Sequence, residues 1–323
     1  MRRVSSAALF ACLAMLTAGS AQAETVFVSD EQDNTVSVID GGTLTQLKTI
    51  PVGRRPRGIA LSPDNAILFV AAGDDDRIDM IDVKSGKVVG TLPSGDDPEL
   101  FAVHPDGKRL FVSNENDNEV SAVDIAAKKV IGSAPVGVEP EGVAVSHDGK
   151  LVACTSETTS MVHLIDTATM QPVANYLVDP RPRFVAFSPD DKTLWVTSEL
   201  RGTLTAVDAA GGKQLAHISF PIPGLTKEQV QAVGITLTKD GKRVFVSLGP
   251  ANRVAEIDAQ SFAITRMFLV GNRVWHTAIS PDEKRLYTAN GNSGDVSVID
   301  LEANQVIKSV KAGRGPWGVA VAP

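Results

Sequence analysis

One interval constrains this chain more than any other feature. An apolar residue followed by aspartate recurs as Ile39-Asp40, Ile81-Asp82, Val123-Asp124, Ile165-Asp166, Val207-Asp208, Ile257-Asp258 and Ile299-Asp300, at spacings of 42, 42, 42, 42, 50 and 42 residues. A second marker, the turn aspartates Asp64, Asp106, Asp148, Asp190, Asp240 and Asp282, keeps the same period and the same single insertion. Such self-similarity means one supersecondary unit, unable to bury its apolar face alone, stacked on copies of itself.

Within a unit such as RGIALSPDNAILFVAAGDDDRIDMIDVKSGKVVGTLP, four short β-branched runs are separated by Asp, Asn, Gly and Ser turn residues. GIALS, ILFVA, RIDMID and KVVGTL become strands A to D. Four strands per roughly 40 residues is the blade of a propeller rather than a turn of a helical solenoid. The two ends are out of phase in a complementary way: ETVFVSD aligns with strand B, and PWGVAVAP aligns with strand A. The expected fold is therefore an all-β, seven-bladed propeller of four-stranded antiparallel blades. Its last blade takes strand A from residues 316–322 and strands B to D from residues 25–51, which closes the ring and removes a free sheet edge. The domain division is residues 1–23, a signal peptide, and 24–323, one propeller.

LFVSN at 110–114 and LYTAN at 286–290, each followed by strand C and its Asp turn, resemble the YVTN family of propeller repeats. More narrowly, the repeat order is similar to periplasmic propellers associated with PQQ-dependent catabolism. That resemblance implies association with PQQ systems rather than a bound cofactor, and a quinoprotein dehydrogenase or cytochrome c as partner. It also admits lactone-hydrolysing seven-bladed relatives, which use Arg, His and Glu at the channel mouth.

MRRVSSAALFACLAMLTAGSAQA has two arginines, a short apolar run and a small-residue end, the pattern of a signal peptide cleaved between Ala23 and Glu24. The run is too short for a membrane span, so a periplasmic or secreted monomer is expected. After cleavage 29 Lys and Arg face 38 Asp and Glu, a charge of −9, which disfavours nucleic acid. Cys154 alone survives processing, so no intramolecular disulfide holds the fold. It aligns with Val28, Val70 and Val112, as a small core residue would.

Function is expected on the face that carries the D to A and B to C loops, because these vary between blades while the opposite turns do not. Just before strand A the blades carry Arg57, Glu99, Glu141, Arg183, Val233, Trp275 and Trp317, with His276 replacing a repeat glycine. These residues either plug the channel or bind a ligand or partner; if the protein is an enzyme, His276, Glu99 and Glu141 are the candidates for proton transfer. The B to C loops are acidic, and Asp74, Asp75 and Asp76 are a candidate cation site that lacks calcium-hand spacing. The insertion, FPIPGLTKEQVQAVG, has capping-box spacing at Thr226 and Gln229, which predicts a helical turn over residues 227–232. Glu256 stands in a normally apolar slot. The favoured expectation is a non-enzymatic binding protein accessory to PQQ-dependent oxidation; the alternative is a lactonase-like enzyme acting on a small carboxylated substrate.

Overall fold

The computed structural model describes residues 24–323, and the expected signal peptide lies outside them. Twenty-eight strands form seven four-stranded antiparallel sheets. Blades 1 to 6 each use four consecutive strands, starting at Pro56, Pro98, Pro140, Pro182, Ile235 and Val274. Blade 7 is the shared one: Pro316–Ala322 pairs with Thr25–Asp30 through Thr25↔Ala322, Phe27↔Ala320 and Val28↔Val319, followed by Thr35–Asp40 and Thr45–Pro51.

Both sequence markers have a local cause. In the A to B turns, Asp64 accepts from Ser62 Oγ and from the Ala66 N–H at 3.1 Å, while the Ile67 N–H donates back to Ser62. After strand C, Asp82 accepts the Ser85 N–H at 2.8 Å, and Asp124, Asp166, Asp258 and Asp300 each accept from the residue three further on. Each carboxylate satisfies a backbone donor that the turn would otherwise expose, so both aspartates recur with the turn itself.

Strand B is buried along nearly its whole length in every blade, whereas strand D is mostly exposed. The core lies between neighbouring blades: Phe27, Val36 and Ile50 of blade 7 pack on Leu68, Val70 and Ile81 of blade 1. Burying a side chain such as Phe27 contributes about 1.5–3 kcal/mol. Cys154 is fully buried and free, in the apolar cluster with Phe111 and Val152.

Around the channel, glycine alternates with a large residue: Gly58, Leu100, Gly142, Phe184, Gly234, His276, Gly318. A Cβ on Gly234 would stand 2.7 Å from the Trp275 carbonyl, and one on Gly318 would stand 2.6 Å from the Arg57 carbonyl. The narrow ring thus admits a side chain only where its neighbours have none. The insertion is tighter than expected: its helical turn covers only Lys227–Gln229, and the chain is extended at Val230. Gln229 Oε1 does accept the Thr226 N–H at 2.8 Å.

Candidate active site

In blades 1 to 4 and 6 strand A starts two residues earlier than the sequence suggests, so the ring positions Arg57, Glu99, Glu141, Arg183 and Trp275 are its second residues and lie in β-bulges, whereas Val233 precedes the shorter strand Ile235–Leu237 of blade 5. The register shifts between Pro56 and Ile59, Pro98 and Phe101, Pro140 and Val143, Pro182 and Phe184, and Val274 and Thr277. A bulge re-aims side chains, and here it turns successive strand A residues toward the mouth. The residue before each of these strands, Arg55, Asp97, Glu139, Arg181 or Arg273, has φ between 54° and 59°. A left-handed non-glycine residue costs about 1 kcal/mol, and the preceding blade offsets this cost. Asn34 accepts the Arg55 N–H at 2.9 Å, Asp76 that of Asp97 at 3.0 Å, and Asn252 that of Arg273 at 2.8 Å.

Two rows of charge result, and they interlock. Glu99, fully buried, accepts from Arg55 Nη1 at 2.8 Å and Arg57 Nη1 at 2.6 Å; Arg57 also reaches Glu31 at 2.7 Å, and Arg55 reaches Asp97. On the other side Arg183 bonds Glu141 at 2.9 Å and also Glu157. Arg181 bridges Glu157 and Glu199 at 3.0 Å each, and Arg273 bonds Glu199 at 3.0 Å and Gln231 of the insertion. Between the two groups stand the indoles. Trp275 and Trp317 stack with centroids 6.1 Å apart, Arg57 lies over Trp317 at 5.6 Å, Arg183 over Trp275 at 5.7 Å, and Arg273 over Trp275 at 4.0 Å.

Arg57, Glu99, Glu141, Arg183, Trp275, His276 and Trp317 therefore converge at the mouth. His276 lies 4.3 Å from the Trp317 ring and 5.2 Å from Phe184, filling the space left by its glycine neighbours. Burial first, and then the charges of Arg183 and Arg57, bring its pKa down to about 3, so the ring is neutral at physiological pH. Glu141 is only 3% exposed, and burial, outweighing Arg183, pushes its carboxyl well above the usual range. For Glu99 burial is outweighed by Arg57 and Arg55, which hold it ionised.

Sequence reasoning passed over the partners two residues upstream, Arg55, Asp97, Arg181 and Arg273, and also Glu115. Arg55-Pro56-Arg57, Asp97-Pro98-Glu99, Glu139-Pro140-Glu141 and Arg181-Pro182-Arg183 carry the signal, a like-charged pair flanking proline in successive blades. Glu115, from the blade 2 B to C loop, is half-buried beside Glu99. Burial, followed by a hydrogen bond to Glu99 and the charge of Glu99, raises its pKa to about 7.

Asp97, Glu99 and Glu115 place one oxygen each within 4.8 Å of one another, the acid cluster most suited to a cation. Arg55 already lies against two of the three, so its guanidinium supplies the positive charge there. Asp74, Asp75 and Asp76 diverge instead: Asp74 bonds Arg55 at 2.9 Å, Asp75 bonds Arg54 at 2.7 Å, and Asp76 caps Asp97. Glu256 stands 2.8 Å from both Arg243 and Arg266, as a structural carboxylate that accepts a hydrogen bond from Arg243 Nε and is ion-paired with Arg266.

Two family models match parts of the chain: a YNCE-like β-propeller over residues 2–110 and a seven-bladed β-propeller lactonase over residues 165–266. No curated protein matches. Among solved structures, Kuenenia stuttgartiensis hydrazine synthase is 23% identical, covers 85% of this chain and 92% of its own, and superposes with a TM-score of 0.78. A putative 6-phosphogluconolactonase from Bacteroides uniformis is 16% identical, covers 93% and 100%, and has a TM-score of 0.77. Dihydro-heme d1 dehydrogenase NirN in complex with DHE is 14% identical over 92% of this chain and 74% of its own, at 0.69. At these identities the superpositions establish the fold. The lactonase match overturns the expectation of a non-enzymatic binding protein and favours its alternative. Among the described residues no helix is long and apolar enough to cross a membrane. The chain is a seven-bladed β-propeller, similar over residues 2–110 to YNCE-like propellers and over residues 165–266 to the seven-bladed lactonases.

Proposed function

We propose that this protein is a lactonase-like propeller enzyme that hydrolyses a small carboxylated lactone at the channel mouth. One observation carries the proposal: a reachable carboxylate, Glu115, stands against a buried one, Glu99, beneath the paired guanidinium groups of Arg55 and Arg57. The two environments push the carboxyls apart, Glu99 staying ionised while Glu115 titrates near pH 7, which separates an electrostatic role from an acid–base role. A general base is most effective when its pKa lies near the working pH.

In the proposed step, ionised Glu115 takes a proton from water as the water oxygen attacks the lactone carbonyl. The displaced electron pair rests on the carbonyl oxygen, where Arg55 and Arg57 supply preorganised positive charge. When the ring C–O bond breaks, the leaving oxygen receives the proton from Glu115, and the product is a hydroxy acid. Arg181, with 45% of its side chain exposed, is the guanidinium at this mouth most open to a substrate carboxylate. Glu141 and His276 hold the arrangement from beneath, one against the Arg183 guanidinium and one packed against indole.

Hydrolysis of γ- and δ-lactones, with and without a carboxylate substituent, can be followed by pH-stat. Activity is expected to rise through about pH 7, and Glu115→Gln is expected to lose about 100-fold or more. Background rates across the panel, or equal rates for wild type and Glu115→Gln, reject the assignment. Export belongs to the same proposal: N-terminal sequencing of the periplasmic protein is expected to begin at Glu24.

A further inference from the structure

The single 50-residue interval adds a segment that no other blade has, and beneath it lies a cavity of about 390 Å³, within the range of small-ligand sites. The cavity is at the outer end of blade 4. Phe220, Pro221 and Val230 of the added segment line its apolar side, Phe220 and Val230 being 4% and 5% exposed. Arg201 and Lys227 line it as well, and both are solvent-exposed. Among the described residues neither has a carboxylate within 4.0 Å.

Asp179, the one carboxylate of the wall, is already engaged. It accepts from Thr203 Oγ1 and from His217 Nε2, both at 2.7 Å. It stands where other blades have Gly53, Gly95, Gly137, Gly271 and Gly313, so the polar wall, like the roof, belongs to blade 4 alone. Two cations with no carboxylate within 4.0 Å among the described residues, over an apolar floor, run against the character of a chain whose net charge is −7.

We propose that this cavity binds a small amphipathic carboxylate. Its alkyl or aryl part lies on Phe220, Pro221 and Val230, and its carboxylate meets Arg201 and Lys227. A guanidinium fork matches a planar carboxylate, whereas Asp179 opposes the second charge of a phosphate. The site is distinct from the hydrolytic mouth and does not rest on it.

Calorimetric titration with hexanoate, 1-hexanol and hexyl phosphate tests the proposal. Hexanoate is expected to bind more tightly than either comparator. Arg201→Gln and Lys227→Gln are each expected to weaken it about fivefold, and the double variant about twentyfold, since exposed charge contacts contribute about 1 kcal/mol each. Glu115→Gln, which disables the proposed hydrolysis, is expected to bind hexanoate as wild type does. The proposal is overturned if hexanoate fails to bind at millimolar concentration, if either comparator binds as tightly, if the double variant is unchanged, or if Glu115→Gln abolishes binding. The comparison of the three ligands on wild-type protein holds however the variants fold.

Discussion

Replacing Glu115 by glutamine is expected to stabilise the propeller at alkaline pH while removing its proposed base. In the folded protein Glu115 keeps its proton up to about pH 7, against 4.5 for an ordinary glutamate. Between these values the folded state binds more protons than the unfolded one. The contribution of this group is therefore fully present below pH 4.5 and is lost as pH rises through 7. For a wholly buried carboxyl the loss at pH 8 would be roughly 3 kcal/mol; water against half of Glu115 screens it to about 1–2 kcal/mol. An amide at this position never ionises and still donates to Glu99. With an unfolding entropy of about 2.1 cal/mol/K per residue over about 300 residues, the gain is about 2–3 °C in Tm. Thermal unfolding followed by circular dichroism at pH 5 and pH 8 measures it. The variant is expected to match wild type at pH 5 and exceed it at pH 8; Asp30, also raised by burial, to about 6, cancels in the difference. A difference that stays flat from pH 5 to 8, or a variant less stable at pH 8, would refute the account of the Glu99–Glu115 pair.

Arg183→Met removes the guanidinium shared by Glu141 and Glu157 and leaves two buried carboxyl groups without that donor, Glu157 keeping Arg181. A loss of about 1–3 kcal/mol is expected from the unsatisfied buried groups, read as a fall of about 2–5 °C in Tm, and an unchanged Tm would show that the pairs contribute nothing. Truncation after Gly315 deletes strand A of blade 7, exposing the edge of Thr25–Asp30 and removing Val319, Ala320 and Ala322 from two core clusters. Aggregated or unfolded protein is expected by size exclusion and circular dichroism, and a cooperative monomer would contradict closure by the shared blade.

The number of blades, their strands and the shared seventh blade were legible because turn chemistry is local. Asp64 and Asp82 bind backbone donors two or three residues away, so each copy of the turn writes its aspartate into the sequence at the repeat period. The ring at the mouth was legible for a related reason, since closure brings one position of every blade to a common axis, and Arg57, Glu99 and Trp317 stand out where the scaffold requires no particular residue. Pairing was not legible. Arg55 and Glu99 are 44 residues apart, and Arg273 and Glu199 are 74 apart. Glu115 looks like one loop acid among many until a neighbouring blade sets it beside Glu99. His276 carries a residue type that suggests proton transfer, yet packing between Trp317 and Phe184 deprives it of charge. The sequence determined the repeat because each blade's hydrogen bonds close within a few residues. Only the closed ring decided which of the mouth's acids ionise, because burial and opposite charge there are set by residues from other blades.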